Sequence, residues 1–423
     1  MRLTPLTSAL MLLILSATLL AGAQSPKQLA KLTTKKGVSY DAMGQSVAVE
    51  DNAVFVGVPD RAVGGNIQQG VVSVYVRPAN GWHDMTQVRT LKASDGAARA
   101  TFGFSMAISG DTLAVGAPTM SGGCASVAGA VYVFVGSNGQ MRQAAKLTPS
   151  DGFNCDVFGY SVAIGGNTIV VGSPYSSAYG TVYVYVKPAG GWTDMTETAK
   201  LSTSDGTKYN NSFGTSVSID GNTVAAGSYL QSLTGEAYVY VKPVTGWTNM
   251  TETAKLTASD GAVGDSFGYS VSISRDTVLV GSPNNSVPGG QYYGAGYIYV
   301  RPVSGWTNAT ETAKLTVNRP LVYALSGTSV NLAGSTALLG APGPFFPGLN
   351  YPGAVYIYVR PKSGWTTTSR FQAMFTSGDG FATDIFGSAL SLSGRTIVVG
   401  APDVHWDAGF NDPGPGAAYV FSR

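Results

Sequence analysis

The sequence predicts an all-β fold, a seven-bladed β-propeller of four-stranded antiparallel blades in which the N-terminal strand closes the last blade. Three observations predict it. A unit of roughly 55 residues recurs seven times with the same landmarks in the same order. Within each unit the apolar residues follow strand periodicity between short turn signals. The last copy stops one strand short, and a matching strand stands at the start of the chain.

The unit is plainest in copy three: FGYSVAIGGNTIVVGSP (158–174), a variable stretch, GTVYVYVKPAGGW (180–192), then TETAKLSTSDG (196–206). Its first strand alternates small and large residues. The small face reads Gly44-Ser46-Ala48, Gly103-Ser105-Ala107, Gly159-Ser161-Ala163, Gly214-Ser216-Ser218, Gly268-Ser270-Ser272, Gly327-Ser329-Asn331 and Gly387-Ala389-Ser391, and the other face carries bulk such as Val162 and Ile164. Sheets that converge on an axis need this, because only small side chains let one blade accept the bulk of the next. Tight turns follow at Gly110-Asp111, Gly166-Asn167, Gly221-Asn222 and Arg275-Asp276. The second strand ends at Gly-Ala-Pro or a variant of it, where proline stops pairing; copy four departs with Gly227-Ser228-Tyr229. The third strand is apolar on both faces, as a sheet sandwiched between two others must be. Between the third and fourth strands runs a basic-Pro-x-x-Gly-Trp turn, as at Lys187 to Trp192. Copy seven ends with GAAYVFSR (416–423), and Leu29-Ala30-Lys31-Leu32-Thr33 matches the fourth strand Thr198-Ala199-Lys200-Leu201-Ser202, so the chain start is expected to tie the ring shut.

Composition agrees. Charged residues make up 12% against 44% hydrophobic, glycine numbers 55, and Tyr at 22 exceeds Phe at 16. A formal net charge of +2 gives no field to recruit a phosphate backbone, which argues against a nucleic-acid partner. Residues 1–23 read as a secretory signal peptide: Arg2, an apolar run from about Ala9 to Leu20, then Ala21-Gly22-Ala23. That run is short for a bilayer span, and no transmembrane segment is expected elsewhere. Residues 24–423 form the propeller, expected outside the cytoplasm, secreted or periplasmic.

The paired Phe-Gly and Gly-Ala-Pro landmarks, in register through nearly the whole of 24–423, resemble the FG-GAP repeats of the integrin alpha-subunit propeller and its secreted relatives. Copy six departs most, with Leu325-Ser326-Gly327 at its start and Val317-Asn318-Arg319-Pro320 in place of Ser-Asp-Gly. The resemblance implies the fold more than an activity. Integrin-type blades chelate calcium in an acidic loop between the first two strands; here two-residue turns with at most one carboxylate stand there, so no metal and no cofactor is expected.

Chemistry is sparse. A residue repeated in most blades reads as structural, which covers Ser105, Ser161, Ser216 and Ser270 as packing or hydrogen-bonding groups, and the Ser-Asp-Gly acids Asp95, Asp151, Asp205 and Asp260 with Asp156, Asp265 and Asp384 before Phe-Gly as loop caps. Only two histidines exist, too few for a multi-His metal site, and no catalytic residue is assigned. Strand polarity puts the loops after Gly-Ala-Pro and after Ser-Asp-Gly on one variable face, where propellers bind ligands. Its aromatic and charged residues, Tyr175, Tyr179, Tyr229, Tyr292, Tyr293, Asp403, His405, Trp406 and Asp407, are the candidate ligand-binding set, against the plainer alternative that they plug the loops. Cys124 and Cys155 lie on that face in adjacent blades and are expected to form one disulfide. Asn210, Asn249, Asn284 and Asn308 are sequons that matter only in a glycosylating host. On the opposite face Arg77, Lys187, Lys242, Arg301 and Arg360 each precede a Trp by five residues, which favours local packing and cation-π contact. The expected function is a secreted, non-catalytic binding or adhesion module for an extracellular protein or glycan. The alternatives are a carbohydrate-active or other hydrolase, and a structural envelope or matrix component.

Overall fold

A computed structural model describes residues 25–119, 128–153, 155–176, 179–205, 212–230, 233–287, 291–318, 324–343, 352–380, 384–402 and 414–423. These residues form seven blades in a ring, each an antiparallel sheet with its strands in chain order from the axis outward. Blade 3 is representative: Ser161–Gly165, Thr168–Ser173, Thr181–Val186 and Ala199–Ser202, with Ser161 opposite Gly172 and Val182 opposite Leu201. Blade 7 consists of Ala389–Ser393, Thr396–Ala401 and Ala417–Ser422, and its fourth strand is Lys27–Thr33, paired antiparallel as Lys27 to Ser422 and Leu32 to Ala418. The expected closure is present. Among the described residues no helix is long and apolar enough to cross a membrane.

The core is divided into seams between adjacent blades, and the small-large alternation builds them. Val162 and Ile164 pack toward blade 2 with Val131, Val133 and Leu147. Val182 and Val184 of the same blade's third strand face blade 4, while Tyr183 and Tyr185 face blade 2. The small face lets the backbones meet: a Cβ on Gly172 would lie 1.9 Å from the carbonyl oxygen of Gly214 in blade 4, and Gly214 itself sits at φ +90°. At the same contact Ser161 Oγ donates to the Gly214 carbonyl at 2.7 Å. The bond recurs from Ser46, Ser105, Ser216, Ser270 and Ser329. The repeated serines are therefore structural, as their periodicity predicts.

Two features of the seams differ from expectation. The Ser-Asp-Gly acids reach across to the next blade: Asp151 accepts from Tyr183 Oη at 3.1 Å and pairs with Lys200 at 2.7 Å, while Lys200 stands 5.9 Å over the Tyr183 ring. Equivalent sets join Asp95 with Tyr132 and Lys146, Asp205 with Tyr238 and Lys255, and Asp260 with Tyr297 and Lys314; Lys31 pairs with Asp379 over the Tyr419 ring. Among the described residues these lysines supply the cation-π contacts, rather than the basic-Pro cations of the opposite face. By contrast, Asp156 and Asp265 do cap their loops, accepting from the Phe153 and Ala262 amides.

The second feature is a strap. After Trp82, Trp192, Trp247, Trp306 and Trp365 the chain lies parallel along the outer strand of the preceding blade. Met85–Thr86, Met250–Thr251 and Ala309–Thr310 pair in this way with the strands Lys27–Thr33, Ala199–Ser202 and Ala254–Thr257, and Met195 and Thr368 make single bridges. Asn249 and Asn308 serve here: their Oδ1 atoms accept from the amides of Lys200 and Lys255, as Asp84 and Asp194 do for Lys31 and Lys146.

Candidate functional site

The innermost strands start beside the residue that follows the Phe-Gly landmark, which is Met43-Gly44 in blade 1 and Ser326-Gly327 in blade 6. In chain order from blade 1 to blade 7 that residue is Gln45, Phe104, Tyr160, Thr215, Tyr269, Thr328 and Ser388, and together they ring a central cavity of about 390 Å³. Below them come Ser46, Ser105, Ser161, Ser216, Ser270 and Ser329, whose hydroxyls are already spent on the next blade. What the cavity offers a ligand is therefore its rim. No carboxylate, histidine or lysine is found in its described lining.

The rim is aromatic on one side. Phe104 and Tyr160 meet tilted by 49° with ring centres 5.1 Å apart, and Tyr229 meets Tyr269 edge to face at 5.5 Å. Tyr175 and Tyr229 enter on the loops that follow the second strands of blades 3 and 4. Burial, then the neighbouring hydroxyls of Tyr269, Tyr175 and Tyr229, push the Tyr160 hydroxyl well above the usual phenol range. Burial and then Tyr229 likewise raise Tyr175 and Tyr269. All three phenols are thus neutral at physiological pH, so the cluster offers hydrogen-bonding hydroxyls and ring surface without charge. Tyr175 is 53% and Tyr269 37% exposed, which leaves those rings open to a partner.

Of the residues singled out in the sequence, Tyr175 and Tyr229 belong to this cluster. Tyr179 is exposed but serves its backbone first, its carbonyl accepting from the Phe213 amide. Tyr293 accepts from the Ser326 amide, and Tyr292 lies in the short strand Gln291–Tyr292 paired with Ser286–Val287. Asp403, His405, Trp406, Asp407, Cys124, Asn210 and the signal segment 1–23 lie outside the described residues. Among the described residues no cysteine is free. Asn284 donates to Ser266 Oγ at 3.0 Å. Phe104, Tyr160 and Tyr269 were missed by the sequence reading. Their signal is an aromatic residue directly after Phe-Gly in copies two, three and five, where a repeating position departs from small or polar residues.

No curated protein matches this chain. The FG-GAP repeat family matches residues 85–134, 141–185, 195–240, 250–299 and 370–421, more than half of the sequence. With its landmarks now placed as the contacts between blades, the chain belongs to the FG-GAP repeat family.

Proposed function

We propose that this protein is an exported binding or adhesion module, working without catalysis, that engages an extracellular protein or glycan through the tyrosine rim of its axial cavity. The observation that carries the reading is the gathering of the loop residues Tyr175 and Tyr229 beside Tyr160 and Tyr269, which line the cavity, so that three blades contribute to one tyrosine cluster. Rings with a neutral polar edge suit the apolar faces of sugars and the anchor residues of protein interfaces. A hydrolase would need two convergent carboxylates, and the described lining offers hydroxyls instead. Export through residues 1–23, a Cys124–Cys155 disulfide and use of the sequons belong to the same proposal.

A screen of glycans and surface proteins tests it, comparing the unaltered protein with Tyr175→Ala/Tyr229→Ala and, separately, with Tyr179→Ala/Trp406→Ala. Binding lost in the first pair and kept in the second places the ligand on the axial rim. Equal binding by all three removes this face from consideration.

A further inference from the structure

Among the described residues two outer edges receive neither indole nor strap: that of blade 6, which still carries a buried alanine at Ala373, and that of blade 1, whose seam differs further. In blades 1, 3, 4, 5 and 6 the connection to the fourth strand contains the Trp and the strap, and Trp192, Trp247, Trp306 and Trp365 are all 6–8% exposed within their seams. Blade 2 replaces this connection with a two-residue hairpin at Asn138-Gly139 between Ala130–Ser137 and Gln140–Leu147. Blade 1 therefore receives neither indole nor strap from its neighbour. Among the described residues no strand lies beyond its outer strand, Arg89–Leu91.

Three further observations fall at this seam. Where the straps lie, the outer strands carry a buried alanine, 1% exposed at Ala30, 2% at Ala145, 1% at Ala199 and 0% at Ala254 and Ala313; blade 1 has the exposed Arg89 at that register, with Lys92 exposed beyond it. A groove of about 510 Å³ runs beside Thr90, Leu91 and Ser94 against Phe134 and Gln143. A second cavity of about 260 Å³ lies under the hairpin, floored by Phe55, Ile108 and Met141 and rimmed by Glu50, Asp51 and Asp111. The seam is thus acidic on the face opposite the tyrosine rim and basic along its outer edge.

The chain's own straps have the complementary order of charge. Each starts with a cation, places an indole five residues later, an Asp, Asn or Thr two residues after that, and then a residue that pairs with the neighbouring edge. We infer that the seam between blades 1 and 2 is a docking site for an extended segment of a partner protein carrying a base, then an aromatic residue, then an acid. The base meets the Glu50, Asp51 and Asp111 rim, the ring enters above Met141, and the acid reaches Arg89 while the backbone pairs with the blade 1 edge. This is β-strand addition, with the main chain giving affinity and the two charge clusters giving direction. Thr90 stands where Lys31, Lys146, Lys200, Lys255 and Lys314 donate their amides to strap side chains.

The probe is a blocked, fluorescein-labelled peptide with the sequence of residues 187–199, one of the protein's own straps, titrated with the full-length protein and read by anisotropy. Saturable binding is expected, weakened at least about tenfold by Arg89→Glu and by Thr90→Pro, and by Met195→Pro within the peptide. It should also weaken as salt rises. Arg89→Glu lies on the surface and decides the matter if Thr90→Pro disturbs the blade, with circular dichroism as the check on folding. No saturable binding, or binding indifferent to Arg89→Glu and to the peptide proline, overturns the inference. A concentration-dependent dimer that Thr90→Pro abolishes, without peptide binding, would also overturn it and give the edge to a second copy. None of these outcomes depends on the tyrosine rim.

Discussion

The seam between blades 4 and 5 and the seam between blades 7 and 1 share one backbone contact and differ in two sets of polar side chains around it, the inner serine and the acid-tyrosine-lysine set. In both, a glycine of the second strand presses on the Phe-Gly or Met-Gly carbonyl of the next blade: a Cβ on Gly227 would lie 1.9 Å from Gly268 O, and one on Gly400 2.0 Å from Gly44 O. Between blades 4 and 5, Ser216 donates to Gly268 O at 3.0 Å, and Asp260 joins Tyr297 and Lys314 across the seam. At the closing seam Ala389 stands in place of the serine, and Ser73 in place of the tyrosine. Both seams keep a tyrosine hydroxyl on a carbonyl (Tyr75 on Thr33 at 2.8 Å, Tyr299 on Thr257 at 2.7 Å), an amide on a serine hydroxyl oxygen (Val49 on Ser391, Ile273 on Ser218) and a strap bond (Lys31 N to Asp84, Lys255 N to Asn308). The closing seam thus lacks two side-chain sets that the regular seam has, and it is also where a strand drawn from the far end of the chain completes its blade.

The largest effect should come from breaking that closure. A chain from which Lys27–Thr33 is removed leaves Ala417–Ser422 as an open edge and takes Ala30 and Leu32 out of the closing core. Thermal unfolding followed by circular dichroism should lose its single cooperative transition, and the protein should self-associate. A chain that unfolds as before would show that the side-chain seams alone suffice.

Next come the shared glycines. Gly227→Ala and Gly400→Ala should each cost about 3 kcal/mol, because the obstacle is a backbone oxygen that can retreat only if a blade moves. Denaturant midpoints measure both. A much smaller cost at Gly400 would mean that the closing seam is looser than its geometry, and would sharpen the contrast.

Much of this was legible in the sequence. The small face of each first strand, the two-sided third strand and the match of Leu29–Thr33 to other fourth strands fixed blade count and closure, because period-two burial and chain ends are local features. The inter-blade roles of Asp151 and Lys200 were not legible: they lie 49 residues apart, and a Ser-Asp-Gly turn caps itself or reaches a neighbour with equal ease. The straps were hidden for a related reason. Met250–Thr251 is two residues long, and its strand identity comes wholly from the edge it meets. At the candidate site, Tyr175 and Tyr229 were visible as loop aromatics. Tyr160 and Tyr269 sit in a repeating position directly after Phe-Gly, and only the ring geometry turns that position toward the axis.

A smaller effect separates the seams by one hydroxyl. Ser216→Ala should cost about 1 to 3 kcal/mol, since it leaves the Gly268 carbonyl without its serine donor. Ala389→Ser supplies at the closing seam the donor that the other six have, and should gain about 1 kcal/mol in denaturant unfolding. Loss rather than gain from Ala389→Ser would show that the closing seam has no room for the hydroxyl, and that its alanine is a steric choice.

The smallest effect is in pH dependence, and its sign differs between the two regions. Burial works against the Asp260 carboxylate, yet the Lys314 ammonium and the Tyr297 hydroxyl hold it below the ordinary value of 3.8. Its stabilisation is therefore complete above that value and is lost as pH falls through the lower folded value. In blade 1, burial dominates at Asp41 and raises it above 3.8 in spite of the Val38 amide and Arg61. That site is most favourable below 3.8 and loses stability as pH rises through the raised value. Asp260→Asn should then be less stable than the unaltered protein at neutral pH and converge with it as pH falls through the lowered value, as midpoints taken across the acid range would show. A deficit that persists at low pH would mean that Asp260 acts through its hydrogen bond to Tyr297 more than through its charge.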